Sequence, residues 1–351
     1  MKMAATTTVL HEAVRSGEIP GAVAVAGTRS HRCEPLVVGV RKYGGPATTE
    51  DTRYDLASLT KVVATLPCVL RLVSDGEIRL EDPVGRFVTS AGWFQSPSLA
   101  AVTIRELLTH SSGLPNWRPV FAWASDRLTA LANVLQTPLG ERGGVVYSDL
   151  GFIVLGAIVE RVTRLRLDVF AEQQVFGPLG MRATGYLPAR AAPVAATEDC
   201  GWRNELLEGV VHDENAFRLD GVAGHAGLFG TAADLATYAQ AWLSCDPRLG
   251  RESVLRGSTE QHVATASLRR GLGWLLKGQD SFAGARATAA GFGHTGFTGT
   301  SLWIEPTAER FAVLLTNRVH PSRHRGAHMH ALRRAFHDAV AQDLADLEAP
   351  R

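Results

Sequence analysis

Tyr54-Asp55-Leu56-Ala57-Ser58-Leu59-Thr60-Lys61 runs directly into Val62, Val63, Leu66, Leu70 and Val73, an apolar stripe at helical spacing. Ser58 therefore stands near the start of a helix. Position i+3 lies beside position i there, so the Lys61 ammonium is expected to reach the Ser58 hydroxyl within the first turn. A cation at a helix N-terminus opposes the helix dipole, a cost that makes sense if the lysine has chemical work. On its own the pattern is common, because an N-capping serine followed by a solvated lysine would read the same way.

Two further segments change that balance. In Val145-Val146-Tyr147-Ser148-Asp149-Leu150-Gly151 a polar triplet separates a β-like approach from the apolar helix of Phe152, Val154, Leu155, Ile158 and Val159. Tyr147 is expected at an exposed turn, where a nearby lysine would favour its phenolate and fit it for general-base work. Gly293-His294-Thr295-Gly296-Phe297-Thr298-Gly299 is a glycine-studded β segment, whose small residues are expected to let a substrate backbone lie along an edge strand.

Ser58-x-x-Lys61, Tyr147-Ser148-Asp149 and His294-Thr295-Gly296, in that order, resemble the three active-site motifs of the penicillin-recognising serine hydrolases. The tyrosine and the histidine are similar to those of the branch holding class C β-lactamases, D-alanyl-D-alanine carboxypeptidases and family VIII esterases. Leu107 to Pro115 and Gly224 to Thr231 also resemble segments of that branch, so the likeness runs through nearly the whole chain. The resemblance implies Ser58 as nucleophile, Lys61 and Tyr147 as its proton-handling partners, and an oxyanion hole from the backbone N–H groups of Ser58 and Phe297. Asp149, His294, Thr295 and Gly296 would then face the substrate.

Two positions depart from the family pattern. Asp149 stands where many relatives carry an asparagine that touches the substrate amide, and an ionised aspartate accepts but does not donate. It is expected to hold Lys61 as an ion pair or to select a substrate that offers a donor. His294 replaces the commoner lysine with a group expected to titrate near neutral pH. The basic run Arg318, Arg323 and Arg325 is expected to compensate by facing a substrate carboxylate, Arg325 included among the binding residues.

The fold expectation comes from both ends. Residues 5–17 read as a helix, 22–26 and 36–40 as strands, 291–294, 300–304 and 311–316 as strands, and 327–345 as an amphipathic helix. The middle alternates helical patterns over 103–108, 125–135 and 150–163 with loops rich in Gly, Pro and Trp. The expected class is α+β, an antiparallel β-sheet flanked by helices plus a mainly helical inserted domain, as the resemblance also implies. Residues 1–75 and 221–351 would form the sheet domain, residues 76–220 the insertion, and the active site the cleft between them.

The rest of the chain is read more plainly. Lysine and arginine total 36 against 35 acidic residues, which argues against a nucleic-acid or membrane-surface partner. No apolar run approaches the roughly 18 residues of a membrane span. The first residues offer no apolar run before Glu12 and Arg15 interrupt, the pattern expected of a cytoplasmic protein. Cys33, Cys68, Cys200 and Cys245 are scattered and read as free thiols. His324 and His328 have a metal-chelating spacing within the cluster His320, His324, His328 and His330, but no acidic or thiol ligand accompanies them, so no metal and no cofactor is expected. Val211-His212-Asp213-Glu214-Asn215 reads as a loop-organising stretch, and no G-x-S-x-G elbow is present. Trp93, Trp117, Trp123 and Trp202 are core candidates, one or two of which are expected to wall an apolar acyl pocket.

The expected activity is a serine hydrolase or acyltransferase working through a Ser58 acyl-enzyme on a small-molecule ester or amide, carboxylesterase-like. A D-alanyl-type peptidase or β-lactamase is the alternative within enzymes, and a non-catalytic penicillin-binding sensor or scaffold the alternative outside them.

Overall fold

A computed structural model of the protein describes residues 3–88, 97–279, 281–325 and 328–348; Trp93 lies outside the described residues. Its centre is an eight-stranded antiparallel sheet. The strands run across it in the order Leu36–Gly39, Gly21–Thr28, Arg310–Thr316, Ser301–Glu305, Phe292–Thr295, Leu275–Leu276, Arg269–Arg270 and Val263–Ala264. The pairing of Ala22 with Thr316 through Thr28 with Arg310 brings the two ends of the chain into one layer. With helices on its faces, the fold is α+β.

The first strand shows why each face has its own cover. Its sequence, Gly-Ala-Val-Ala-Val-Ala-Gly-Thr, alternates two kinds of apolar residue with the period of two that sends side chains to opposite faces. Ala22, Ala24 and Ala26 pack with Leu10 and Ala13 of the Ala4–Arg15 helix and with Leu332, Phe336 and Val340 of the Met329–Glu348 helix. Alanines let those helices approach closely. Val23 and Val25 point the other way, into the main core. Asp343 of the last helix accepts hydrogen bonds from the Ala5 and Thr6 amides at 3.1 and 2.9 Å, tying the terminal helices together.

The main core is continuous from sheet to middle segment, taking in Val313 and Leu302 from strands and Leu107, Val154 and Ile158 from helices. Each expected middle helix starts on a capping side chain. Thr103 and Glu106 form a capping box on Ile104–Leu108, Asp126 caps Arg127–Leu135, and Ser148 caps Asp149–Thr163. The last of these is apolar nearly all round because Leu150 through Leu155, Ile158 and Val159 are buried.

One short element was not legible in the sequence. Tyr54–Asp55, Leu228–Gly230 and Gly185–Tyr186 form a small three-stranded sheet that ends just before Ser58. Strands of two or three residues carry too little periodicity to be read. The Phe292–Thr295 strand departs from the expected edge position, since it pairs with Ser301–Glu305 on one side and Leu275–Leu276 on the other. That second neighbour is only two residues long, so its pairing stops at Gly293 and leaves His294 and Thr295 paired on one side only.

Candidate active site

Ser58 sits in a tight turn between the small sheet and a helix. Its predecessor Ala57 is held at φ 47°, a conformation that costs a non-glycine residue energy and persists only where its surroundings enforce it. The enforcement is visible. Buried Asp55 accepts the Ala57 amide at 2.8 Å through one carboxylate oxygen and the His212 amide at 2.7 Å through the other. Thr298 and Thr300 donate their hydroxyls to the carbonyls of Asp55 and Leu56 at 2.7 and 3.1 Å. The segment before Ser58 is thus stitched to the turn after the His294 strand.

Lys61 opens a π-helical turn over Lys61–Thr65 that passes into the Leu66–Asp75 helix. It is fully buried, and its ammonium donates to Ser58 Oγ at 3.0 Å, Asp149 Oδ1 at 2.7 Å and the His225 carbonyl at 3.1 Å. Burial opposes the charge on Lys61, but Asp149 and then Tyr147 outweigh it and hold its pKa above the ordinary lysine value. Lys61 is therefore an ammonium fixed between the serine and the aspartate. Asp149 occupies the first turn of its helix, where the dipole favours a carboxylate.

Tyr147 arrives on an extended, half-buried segment rather than an exposed turn. The loop His110–Asn116 holds that segment. The His110 carbonyl accepts the Val146 amide at 2.9 Å, His110 Nδ1 accepts the Ser148 amide at 3.0 Å, the Pro115 carbonyl accepts the Ser148 hydroxyl at 2.7 Å, and the Asn116 carbonyl accepts the Asp149 amide at 2.9 Å. The Tyr147 ring lies 4.6 Å from the ring of His110, 5.9 Å from that of His294 and 5.0 Å from the Lys61 ammonium.

His294 corrects one expectation. It is buried, and its pKa is pushed down to about 3, first by desolvation and then by the charges of Lys61 and Arg270. It is neutral at physiological pH instead of titrating there. Because Nδ1 lies 2.7 Å from the Thr295 carbonyl, an acceptor only, Nδ1 carries the proton. Nε2 is left as an acceptor, a poor partner for a carboxylate.

Two cavities meet at Ser58. One, of about 640 Å³, lies on the side of His294, Thr295, Gly296 and Phe297. The other, of about 380 Å³, lies on the side of Asn116, Trp117, Asp149 and Asp213. Ser58, Tyr147, Phe297 and Arg323 line both. No acceptor among the described residues takes up the N–H of Ser58 or Phe297. Arg318 and Arg323 also reach the larger cavity, whereas Arg325 is exposed, lines neither, and is held by its backbone, its carbonyl accepting from Arg318 at 3.0 Å and its amide donating to the Ser322 carbonyl at 3.1 Å. Arg323 is already paired with Glu198 and Glu214, both at 2.6 Å.

Of the tryptophans, Trp117 lines the smaller cavity, while Trp123 and Trp202 are about half exposed outside it. The 211–215 stretch organises loops. Asp213 caps the Glu214–Arg218 helix and accepts from His225 Nε2 at 2.8 Å, and Asn215 bridges to the Phe121 amide and the Arg118 carbonyl. His324 precedes the last helix, so the helical spacing to His328 is not realised, and no metal-ligating cluster occurs among the described residues. Cys33, Cys68 and Cys200 are buried and Cys245 half-buried, all as free thiols. No helix among the described residues is long and apolar enough to cross a membrane.

Sequence reading missed Asp55, Arg270 and Arg333. Asp55 lay in the quoted stretch without being assigned a role, and the two arginines were not singled out.

A family model for beta-lactamases matches residues 7–335. The chain is 32% identical over 344 residues to an N-acetylmuramyl-L-alanine amidase of Bacillus subtilis, covering 86% of this chain and 78% of that one. Among solved structures it superposes on EstCE1, a hydrolase with promiscuous acyltransferase activity, with a TM-score of 0.79 at 21% identity, covering 96% of this chain and 97% of the other. It also superposes on a class C beta-lactamase from Rhodobacter sphaeroides with a TM-score of 0.76 at 18% identity, covering 97% and 99%. With its antiparallel sheet, its flanking helices and this match over most of its length, the chain belongs to the beta-lactamase family of serine hydrolases and penicillin-binding-protein-like enzymes.

Proposed function

We propose that the protein is a serine acyl-transfer enzyme that acts on an ester or amide of a small molecule through an acyl-Ser58 intermediate, with ester substrates preferred. The observation that carries this reading is the Ser58–Lys61–Asp149 chain of contacts, centred on the buried Lys61, at the junction of two cavities, one for each side of a scissile bond. Under the same proposal residues 1–75 and 221–351 make one lobe, residues 76–220 the other, and substrate enters between them.

Lys61, fixed as an ammonium, donates to Ser58 Oγ, so it orients the hydroxyl and stabilises the alkoxide that develops on it. The base is then Tyr147 in its ionised form, whose phenolate accepts the Ser58 proton as Oγ attacks the carbonyl and returns it to the leaving group. The N–H groups of Ser58 and Phe297 receive the oxyanion, a contribution of about 3–4 kcal/mol for a donor of this kind. Water or a second nucleophile then takes the acyl group. His294, Thr295 and Gly296 line the substrate along the one-sided end of their strand. Asp149 supports the preference for esters: it offers carboxylate oxygens where an amide side chain would donate to a peptide or β-lactam carbonyl.

The test is intact-mass spectrometry after treatment with a fluorophosphonate and with a penicillin, run beside p-nitrophenyl ester and nitrocefin turnover on the wild type and Ser58→Ala. A Ser58-dependent adduct with rapid ester turnover is expected. Ester turnover that survives in Ser58→Ala removes Ser58 from the role, and a lasting penicillin adduct with little ester turnover replaces this reading with a peptidase or sensor.

A further inference from the structure

Three arginines of the larger cavity, Arg270, Arg318 and Arg333, are answered by no described carboxylate. Arg270 is 6% exposed and lies over the Tyr147 ring, its guanidinium carbon 5.3 Å from the ring centre. Its Nε and Nη1 are buried without a hydrogen-bond partner. Arg333 reaches the same cavity from the last helix. Its Nη2 donates to the Gly296 and Thr300 carbonyls at 2.6 and 2.9 Å, and its Nε is likewise buried without a partner. Arg318 completes the group, stacked 4.6 Å over Phe297 and donating only to backbone carbonyls.

No aspartate or glutamate lines this cavity, and no ion pair joins Arg270, Arg318 or Arg333 to a described carboxylate. A guanidinium kept from water without a counter-charge is costly, and removing the acid from a buried pair typically costs several kcal/mol. The strain registers on the groups themselves. Burial pushes Arg270 down from the ordinary arginine value, and burial followed by repulsion from Arg318 pushes Arg333 down to about 9. Arg323, which does have its acids, is the one cavity arginine whose pKa moves up.

The positive groups form two stations. Arg270 stands over Tyr147, while Arg318 and Arg333 stand together at the turn of Gly296 and Phe297, and the neutral His294 feels both Arg270 and Arg333. Two carboxylates on one short chain suit two stations, since a guanidinium fork matches each carboxylate. Resting on the reading of Ser58 as nucleophile, we propose that this cavity binds a dicarboxylate portion of the substrate, one carboxylate at Arg270 and the second at Arg318 and Arg333.

The test is calorimetric binding at constant ionic strength to Ser58→Ala protein, with glutarate, butyrate and inorganic phosphate as probes. Glutarate is expected to bind about tenfold or more tighter than butyrate, the value of one additional charge-assisted contact. Arg270→Gln weakens both organic acids, whereas Arg333→Gln brings glutarate to the butyrate level. Since Arg333 also holds the Gly296 turn, Arg318→Gln is the second variant, expected to lose the same advantage with the Gly296 contacts intact. Far-UV circular dichroism and ligand-free melting show that each variant is folded. Equal affinities for glutarate and butyrate, phosphate binding tighter than glutarate, or no glutarate binding would each overturn the proposal. Because binding is measured without the Ser58 hydroxyl, failure of the acyl-enzyme reading appears only in the ester assay and is separable from failure here.

Discussion

Asp149 decides the charge state of Lys61. A lysine this deeply buried would, without an acid, lose its proton more easily than in water; with Asp149 at 2.7 Å its pKa sits above the ordinary 10.5. The ammonium is then present across the working pH range and lost only as the pH rises through that raised value. In Asp149→Asn burial acts unopposed by a carboxylate, the Lys61 pKa falls, and the alkaline limb of kcat/KM for a p-nitrophenyl ester moves to lower pH. An alkaline limb in its wild-type place would show that Asp149 does not set this charge. Ser58 and Lys61 were legible as partners because three residues on a helix are neighbours in space. Arg270 was not, because nothing in Leu268-Arg269-Arg270-Gly271 distinguishes an arginine that turns into a cavity from the one beside it that faces out.

At the scale of elements, the site is built by sewing one turn to another. Gly296 is where the two come closest: a Cβ there would meet Thr300 Oγ1 at 2.1 Å and the Leu56 carbonyl at 2.5 Å. Gly296→Ala therefore forces the strand end away from the Ser58 segment and with it the Phe297 amide, the oxyanion donor of the proposed mechanism. We expect a loss of about 1–3 kcal/mol of stability from overpacking and a fall in kcat of about 100-fold, the scale of a lost oxyanion donor. A variant that melts like the wild type with undiminished kcat would mean that the contact is relieved without moving Phe297. The terminal strands and long helices were legible because alternation or helical spacing persists over many residues in Gly21–Thr28 and Asp149–Thr163. The interior placement of Phe292–Thr295 was not, since its neighbour Leu275–Leu276 has no pattern of its own.

For the whole molecule, buried neutral histidines set the acid limit. His294 and His337 both have their pKa pushed down to about 3, by desolvation first, against an ordinary 6.5. Between those values the unfolded chain binds protons that the folded chain refuses, so stability falls as pH drops from 6.5 towards 3, by up to about 1.4 kcal/mol per pH unit for each such histidine. Melting curves from pH 7 to pH 4 should show this slope, and His337→Gln, away from the reacting groups, should flatten it. An unchanged slope in that variant would assign the acid sensitivity to other groups.

The register of the central sheet also governs how the chain comes off the ribosome. The Gly21 amide finds its acceptor on Asn317, 296 residues later, and the strand it opens has its longest partner in Arg310–Thr316. At ribosomal synthesis rates of about 5–20 residues per second that interval lasts on the order of 15–60 s. Through all of it an alanine- and valine-rich strand waits with one side unpaired, so in the living cell the yield of this protein depends on whatever shields that nascent edge from its neighbours until Arg310–Thr316 has been made.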